Sequence, residues 1–463
     1  MTFPKHFRWG VATASYQIEG SPTQDGGGDS VWDLHTRRAG TVWDHTSGLV
    51  ACDHARRASE DVALMREHAI GAYRLSLSWP RVLPDGRGRV NDRGLAFYDR
   101  LVDDLLHAGI EPWVTLFHWD FPLALYYQGG WLNRDSSDWF ADYTRVIVDR
   151  LSDRVRHWFT LNEPQCFVGL GHRTGVHAPG DQLGWEAVLR VGHHALMAHG
   201  KAVQVIRAHA RSAPTVGYAP VGVVATPATS APEDVDAARE MMFSLPKGDT
   251  WNNPMWLDPV LRGHYPEGLE AAFDAAPPVR AGDLEVIHQP LDFLGANVYN
   301  GGPVTRAEDG SATRVPYPPG LGRTMYGWPV TPDALYWGPR FYHEQYGLPV
   351  VITENGVSLS DWVDLDGHVR DFGRVDFLRR YLLELERAVR DGVDVLGYFH
   401  WSWMDNFEWQ EGYKQRFGLV HVDFTTQKRT PKASAAWYRD VIRSNGAQLH
   451  QPWPAANTET AVR

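Results

Sequence analysis

The chain has 463 residues, 43% of them hydrophobic and 22% charged, the balance of a folded polypeptide with a large core rather than of a disordered or membrane-embedded one. Its formal net charge is -11 and no dense Lys/Arg block breaks the pattern, which argues against nucleic acid and membrane surfaces as partners. The N-terminus MTFPKHFRWG carries no apolar leader, no run reaches the roughly 18 apolar residues of a membrane span, and the two cysteines allow one bridge at most. A cytoplasmic location is therefore expected, with Cys52 and Cys166 read as small buried hydrophobes.

From one end to the other, short β-branched or aromatic runs alternate with amphipathic stretches of helical period, the pattern of a parallel α/β fold. Strands are expected near residues 9 to 14, 72 to 77, 112 to 117, 157 to 161, 215 to 220, 292 to 298, 350 to 353 and 395 to 399. Between the second and third, Tyr98, Leu101, Val102, Leu105 and Leu106 recur at helical spacing and Gly109 stops the helix before Pro112 opens PWVTLF. Between the seventh and eighth, Val375, Leu378, Tyr381, Leu382, Leu385 and Val389 repeat the pattern, with Gly392 as the stop before VLGYFHW. Eight such strands predict a closed (β/α)8 TIM barrel, a single catalytic domain over residues 1–445 with long βα loops. A doubly wound open sheet is the structural alternative, but no glycine-rich phosphate loop joins an early strand to a helix. Segments 36–55, 225–255 and 300–330, rich in Gly, Pro, Thr and Asp and without a period, read as long surface loops, and 446–463 as a frayed tail.

Where the strands end, polar and aromatic residues collect. The first runs out into Gln17 and Glu19, the third into His118 and Trp119, the fourth into Asn162 and Glu163, the sixth into Asn297 and Tyr299, the seventh into Glu354, and the eighth into Trp401 and Trp403. In a barrel this C-terminal rim is where catalytic groups converge, and water-facing strand ends alone account for one or two such positions better than for a whole ring. The 20 Trp of the chain sit frequently beside Glu, Asp, Asn or His, and indole faces suit the C–H faces of sugars while carboxylates suit hydroxyls. Glu163 in HWFTLNEP and Glu354 in VVITENG each follow an apolar strand. Two carboxyls at the edge of an apolar layer can be driven to different pKa values, and glycoside cleavage requires one protonated and one ionised carboxyl.

TLNEP at 160–164 and ITENG at 352–356 resemble the two signature motifs of glycoside hydrolase family 1, the β-glucosidases and their relatives. The likeness runs along nearly the whole chain, from FRWGVATASYQIEG through YRLSLSWPR, VTLFHWD and GGWLN to WSWMDNFEWQEGYKQRFGLVHVD and KRTPKASAAWY. The resemblance implies a (β/α)8 barrel and a retaining β-glycosidase acting on neutral β-glycosides or short oligosaccharides. By position, Glu163 matches the family's acid/base and Glu354 its nucleophile. Gln17, His118, Asn162, Glu408 and Trp409 match residues that hydrogen-bond the sugar, and Trp401 matches the platform beneath it. Arg74 matches the arginine that keeps the nucleophile ionised, with Tyr299 and Asn297 in support, and Trp328 a tryptophan on the leaving-group side. One departure is visible: position 165, after NEP, is Gln where the family very often has Trp.

Two rival readings concern the chemistry. A metal-dependent barrel hydrolase is prompted by GHHALMAHG at 192–200, but there is no HExxH, and His193, His194 and His199 fall mid-helix among Ala, Leu and Met, so neither metal nor cofactor is expected. A 6-phospho-β-glycosidase is the nearer alternative. Against it stands Glu408, whose carboxylate would repel a phosphate, and for it only Lys414, close by in sequence. The preferred sugar and the oligomeric state are not legible.

Overall fold

A computed structural model describes residues 3–452. Eight parallel strands close into a barrel: β1 Arg8–Ala12, β2 Ala72–Ser76, β3 Glu111–Phe117, β4 His157–Asn162, β5 Thr215–Ala219, β6 Phe293–Asn297, β7 Val350–Asn355 and β8 Val395–Trp401. Closure is made by β1, which pairs with β2 through Gly10↔Ala72 and with β8 through Arg8↔Gly397. All eight strands fall where the apolar runs predicted them, because a strand covered on both faces can be apolar at every position.

The helices of the outer ring follow from the same logic. Asp92–His107 buries Leu95, Tyr98, Leu101, Val102 and Leu105, and Phe372–Arg390 buries Val375, Leu378, Tyr381, Leu382 and Leu385. Gly109 and Gly392 stand just beyond their ends with φ of 76° and 96°, the left-handed conformation that stops a helix and turns the chain into the next strand. Two apolar layers result. One fills the space between strands and helices; the other, built on Trp113, Phe159, Phe293 and Phe399, plugs the barrel interior. Gly217 makes room for that plug, since a Cβ there would lie 2.0 Å from the Phe293 ring. The plug gives the rim above it a dry floor.

The long segments read as loops are more ordered than their composition suggested. Val224–Pro227, Gly301–Arg306 and Ala312–Arg314 form a small three-stranded sheet, and Pro232–Met242 is a helix. These strands are too short to show a period, and only contact between distant βα loops pairs them. Of the segment expected to be a frayed tail, Ala447–His450 instead form a 3-10 turn that buries Leu449 against the outer layer, and 453–463 lie outside the described residues. Among the described residues no helix is long and apolar enough to cross a membrane.

Candidate active site

The two glutamates sit where the barrel ladders slip. Pairing of β4 with β5 shifts register between Phe159 and Asn162, and pairing of β7 with β6 shifts between Ile352 and Glu354. A bulge re-aims the side chains that follow it, and here it turns each glutamate inward over the aromatic plug. Glu163 also has φ of 46°, a strained setting for a non-glycine residue, held by its own N–H donating to the Ala219 carbonyl at 2.8 Å.

Both carboxyls are buried, and their surroundings differ. Glu354 accepts Arg74 Nη1 on Oε1 at 2.6 Å and the Tyr299 hydroxyl on Oε2 at 2.8 Å. Arg74 in turn spends Nη2 on Asn162 Oδ1 at 2.6 Å and Nε on Thr115 Oγ1 at 3.2 Å. Glu163 has no cation in contact: Asn297 Nδ2 donates to Oε1 at 2.8 Å and the Cys166 thiol to Oε2 at 3.4 Å. Burial pushes both carboxyls upward. For Glu354 the Arg74 charge, the phenol and the hydrogen bonds pull back. For Glu163, burial and the neighbouring Glu354 charge carry the pKa to about 8. Both carboxyls stay raised on balance, and the cation and phenol at Glu354, which Glu163 lacks, favour the proton of the pair on Glu163.

Around this pair the sequence-predicted residues converge. Gln17 donates to Asn406 Oδ1, the Phe407 carbonyl and Glu408 Oε2 at 3.0, 2.9 and 3.2 Å, while its own Oε1 is buried without a partner. Glu408 is 8% exposed, and burial together with the Glu354 charge raises it to about 8. Asn162 Oδ1 is committed to Arg74 and Asn297, so its NH2 faces His118 Nε2 at 3.1 Å. The imidazole accepts there, which puts its proton on the buried, unpartnered Nδ1. Burial and the Arg74 charge drive the His118 pKa well down, so the ring is neutral. Trp401 lies face to face with His118 at 5.7 Å, and Trp409, with φ of 50°, stacks on Tyr16 at 6.2 Å and packs against Trp119 at 4.5 Å. Unpartnered buried acceptors and donors beside an indole face are what a sugar's hydroxyls and ring can satisfy.

Of these groups His118, Glu163, Glu354, Asn297, Tyr299, Trp401, Glu408 and Trp409 line a cavity of about 370 Å³ that opens outward past Trp328, Tyr326, Phe417, Tyr317, Arg314 and Trp251, with Gln17, Asn162 and Arg74 bonded behind that lining. Trp328 stacks on Tyr326 at 4.4 Å and meets Tyr299 at 5.1 Å, which places it on the cavity wall. Asn297 bears on both glutamates: its amide donates to Glu163 Oε1 and Asn162 Oδ1, and its hydrogen bonding also pulls the Glu354 pKa down, because the bulge puts its side chain between the two strands' carboxyls. Cys166 is a cavity-lining donor to Glu163 as well as a small buried group; its place three residues past the glutamate at the start of the turn Gln165–Thr174 was the signal available. Gln165, in the place where the family very often has Trp, is fully buried and clamps the backbone of the cavity-lining Val221, accepting its N–H at 3.1 Å and donating to its carbonyl at 3.3 Å. Its effect on the cavity runs through Val221. Trp251, Arg314 and Tyr317 were missed altogether.

The histidine cluster lies in the helix Trp185–His209, turned toward packing partners. His193 bonds Asp283 at 2.9 Å, His194 the Trp131 carbonyl at 2.8 Å and His199 the Thr160 hydroxyl at 2.6 Å. No group of three or more potential ligands converges among the described residues. Lys414 is paired with Glu411 at 2.9 Å over the Trp43 ring and does not line the cavity.

Comparison with known proteins points the same way as the geometry. The model of Glycosyl hydrolase family 1 matches residues 1–447. The chain is 44% identical to β-glucosidase A of Thermotoga maritima over 454 residues, covering 96% of this chain and 99% of that one, and 45% identical to the 1,4-β-D-glucan glucohydrolase of Thermotoga neapolitana with the same coverage. The solved structure of the Thermotoga maritima β-glucosidase in complex with glucoimidazole superposes with a TM-score of 0.88 at 44% identity, again over 96% and 99% of the two chains.

Proposed function

The chain belongs to glycosyl hydrolase family 1, and on that premise we propose how its two buried glutamates divide the work of a retaining β-glucosidase. The enzyme hydrolyses terminal β-D-glucosidic bonds by two displacements through a covalent glycosyl-enzyme, so that the released sugar keeps its configuration. In the proposed assignment Glu354 attacks C1 and a C1–O bond to its carboxylate forms as the glycosidic bond breaks. The departing oxygen takes its proton from Glu163. Glu163, now a carboxylate, removes a proton from water as that oxygen attacks C1, and Glu354 leaves with the electron pair of the ester bond.

The observation that supports this order is the unequal wiring of the pair. An arginine and a phenol hold Glu354 ionised, whereas Glu163, with only an amide and a thiol in contact, keeps its proton to about pH 8. We assign Gln17, His118, Asn162, Glu408 and Trp409 to the sugar hydroxyls, Trp401 to the face of the ring and Trp328 to the leaving-group side, with residues 1–445 acting as one catalytic domain. A neutral sugar is supported by the engagement of Lys414 with Glu411 and by a cavity lining that carries Glu408 but no lysine, so that nothing at the inner end pairs with a phosphate. Short β-1,4-glucans, and with them a role in cellulose breakdown in the cytoplasm, extend the reading toward the glucan glucohydrolase relative. The test is early-time NMR of the products from a nitrophenyl β-glucoside and its 6-phosphate. The β-anomer should appear first, with higher kcat/KM on the neutral compound; early α-anomer would overturn the mechanism, and preference for the phosphate would overturn the substrate.

A further inference from the structure

Arg314 closes the strand Ala312–Arg314 at the outer end of the cavity, on the small sheet that the two longest βα loops build together. Its guanidinium is folded back over the chain. A Cβ placed at Gly302 would lie 2.7 Å from Arg314 Nη1 and 3.8 Å from the Tyr317 hydroxyl, so the end of the guanidinium reaches across the hairpin to Gly302, beside the phenol. Among the described residues Arg314 makes neither an ion pair nor a side-chain hydrogen bond, whereas Arg306, on the adjacent strand, pairs with Glu240; Arg323, over the Tyr317 ring at 5.9 Å, adds a second cation there. The neighbouring wall is aromatic, with Trp251 and Trp328 on the same cavity. An exposed planar cation without an ion-pair partner, at the mouth of the cavity beside a phenol and indole faces, is a receptor for a ring that carries an anionic group, since the guanidinium matches a carboxylate in shape and charge.

Resting on the glucosidase reading above, which leaves the aglycone on this side of the cavity, we propose that Arg314 with Tyr317 forms an aglycone subsite selective for aromatic aglycones bearing a carboxylate. The inner end offers a phosphate no free lysine, since Lys414 is held by Glu411 and lies off the cavity lining, whereas the outer end offers a carboxylate Arg314. Charge selectivity is thus set separately at the two ends of one cavity.

The test uses phenyl β-glucosides with a 4-carboxyalkyl chain of one, two or three methylenes, each compared with its carboxamide. Within a pair the leaving phenols have similar acidity, so the ratio of kcat/KM reports charge recognition rather than chemistry. For the wild-type enzyme the acid should be favoured about fivefold for at least one chain length at low ionic strength, the scale of a half-exposed ion pair, and the preference should shrink with added salt. In Arg314→Gln the ratio should fall to about one, and in Arg314→Glu it should invert, whatever either variant does to acid and amide in common. A ratio of one at every chain length in the wild type, or a preference that Arg314→Gln leaves intact, would overturn the subsite. Absence of turnover on the carboxamides and on nitrophenyl β-glucoside would instead strike the glucosidase reading itself.

Discussion

The two ends of the cavity are built by different means. At the glucosyl end every side chain comes from a barrel strand end or the segment after β8, is nearly buried, and is tied to its neighbours: Arg74 to Glu354 and Asn162, Asn297 to Glu163, Gln17 to Glu408. At the aglycone end the residues come from long βα loops and stand partly in solvent, Trp251 at 37% exposure. Buried hydrogen-bonded groups cannot adjust without leaving a donor, acceptor or charge unpaired, so the glucosyl end is rigid and its chemistry demanding. Exposed aromatic walls change at little energetic cost. The contrast predicts steep losses at one end and graded effects at the other.

The largest effect should come from Glu354→Gly, with kcat on nitrophenyl β-glucoside falling by about 10⁴-fold or more, because the covalent route closes. Azide should restore turnover and give the α-glucosyl azide, identified by NMR. A β-configured azide, or no rescue, would remove the nucleophile assignment.

A smaller and more selective loss is expected at Glu163. Glu163→Ala should cost about 10² to 10⁴-fold on glucosides with poor leaving groups and far less on dinitrophenyl glucoside, which needs no protonation. The wild-type kcat/KM should fall as pH rises through about 8, the pKa of the buried acid. Stability carries the same signature. The folded state holds a proton on Glu163 between about pH 4.5, the ordinary glutamate value, and about 8, while the unfolded chain has released it. The folded state then binds more protons, so stability declines with rising pH across that window. Denaturant melts of Glu163→Gln at pH 5 and pH 9 should show a flatter decline than the wild type; an equal slope would mean the proton resides elsewhere.

Smallest is the effect at the mouth. Trp251→Ala should raise KM for aryl β-glucosides a few-fold, roughly the stacking lost from one half-exposed face, and leave kcat within about twofold. A loss comparable to that at the glucosyl end would erase the distinction between the two regions.

The same division marks what could be read from the amino-acid sequence. The eight strands, the helices behind them and both glutamates were legible because apolar periodicity and an acidic residue at a strand end are local signals, and because the motifs around positions 163 and 354 resemble a known family along the whole chain. Asn297 was legible as a rim residue, but not its place between the two glutamates, which depends on a register shift between β6 and β7 that no local pattern encodes. Trp251, Arg314 and Tyr317 were invisible: Arg314 ends a short hairpin strand whose partner Gly301–Arg306 is anchored only by pairing with Val224–Pro227, more than 70 residues back in the chain, and Trp251 and Tyr317 lie in irregular segments. The sequence by itself determined the barrel and brought forward the two glutamates, through burial pattern, residue chemistry and family resemblance. Only the tertiary structure supplied the unequal surroundings of the two carboxyls and the residues at the outer end of the cavity, because both depend on charges and hydrogen-bonding groups brought together across the barrel.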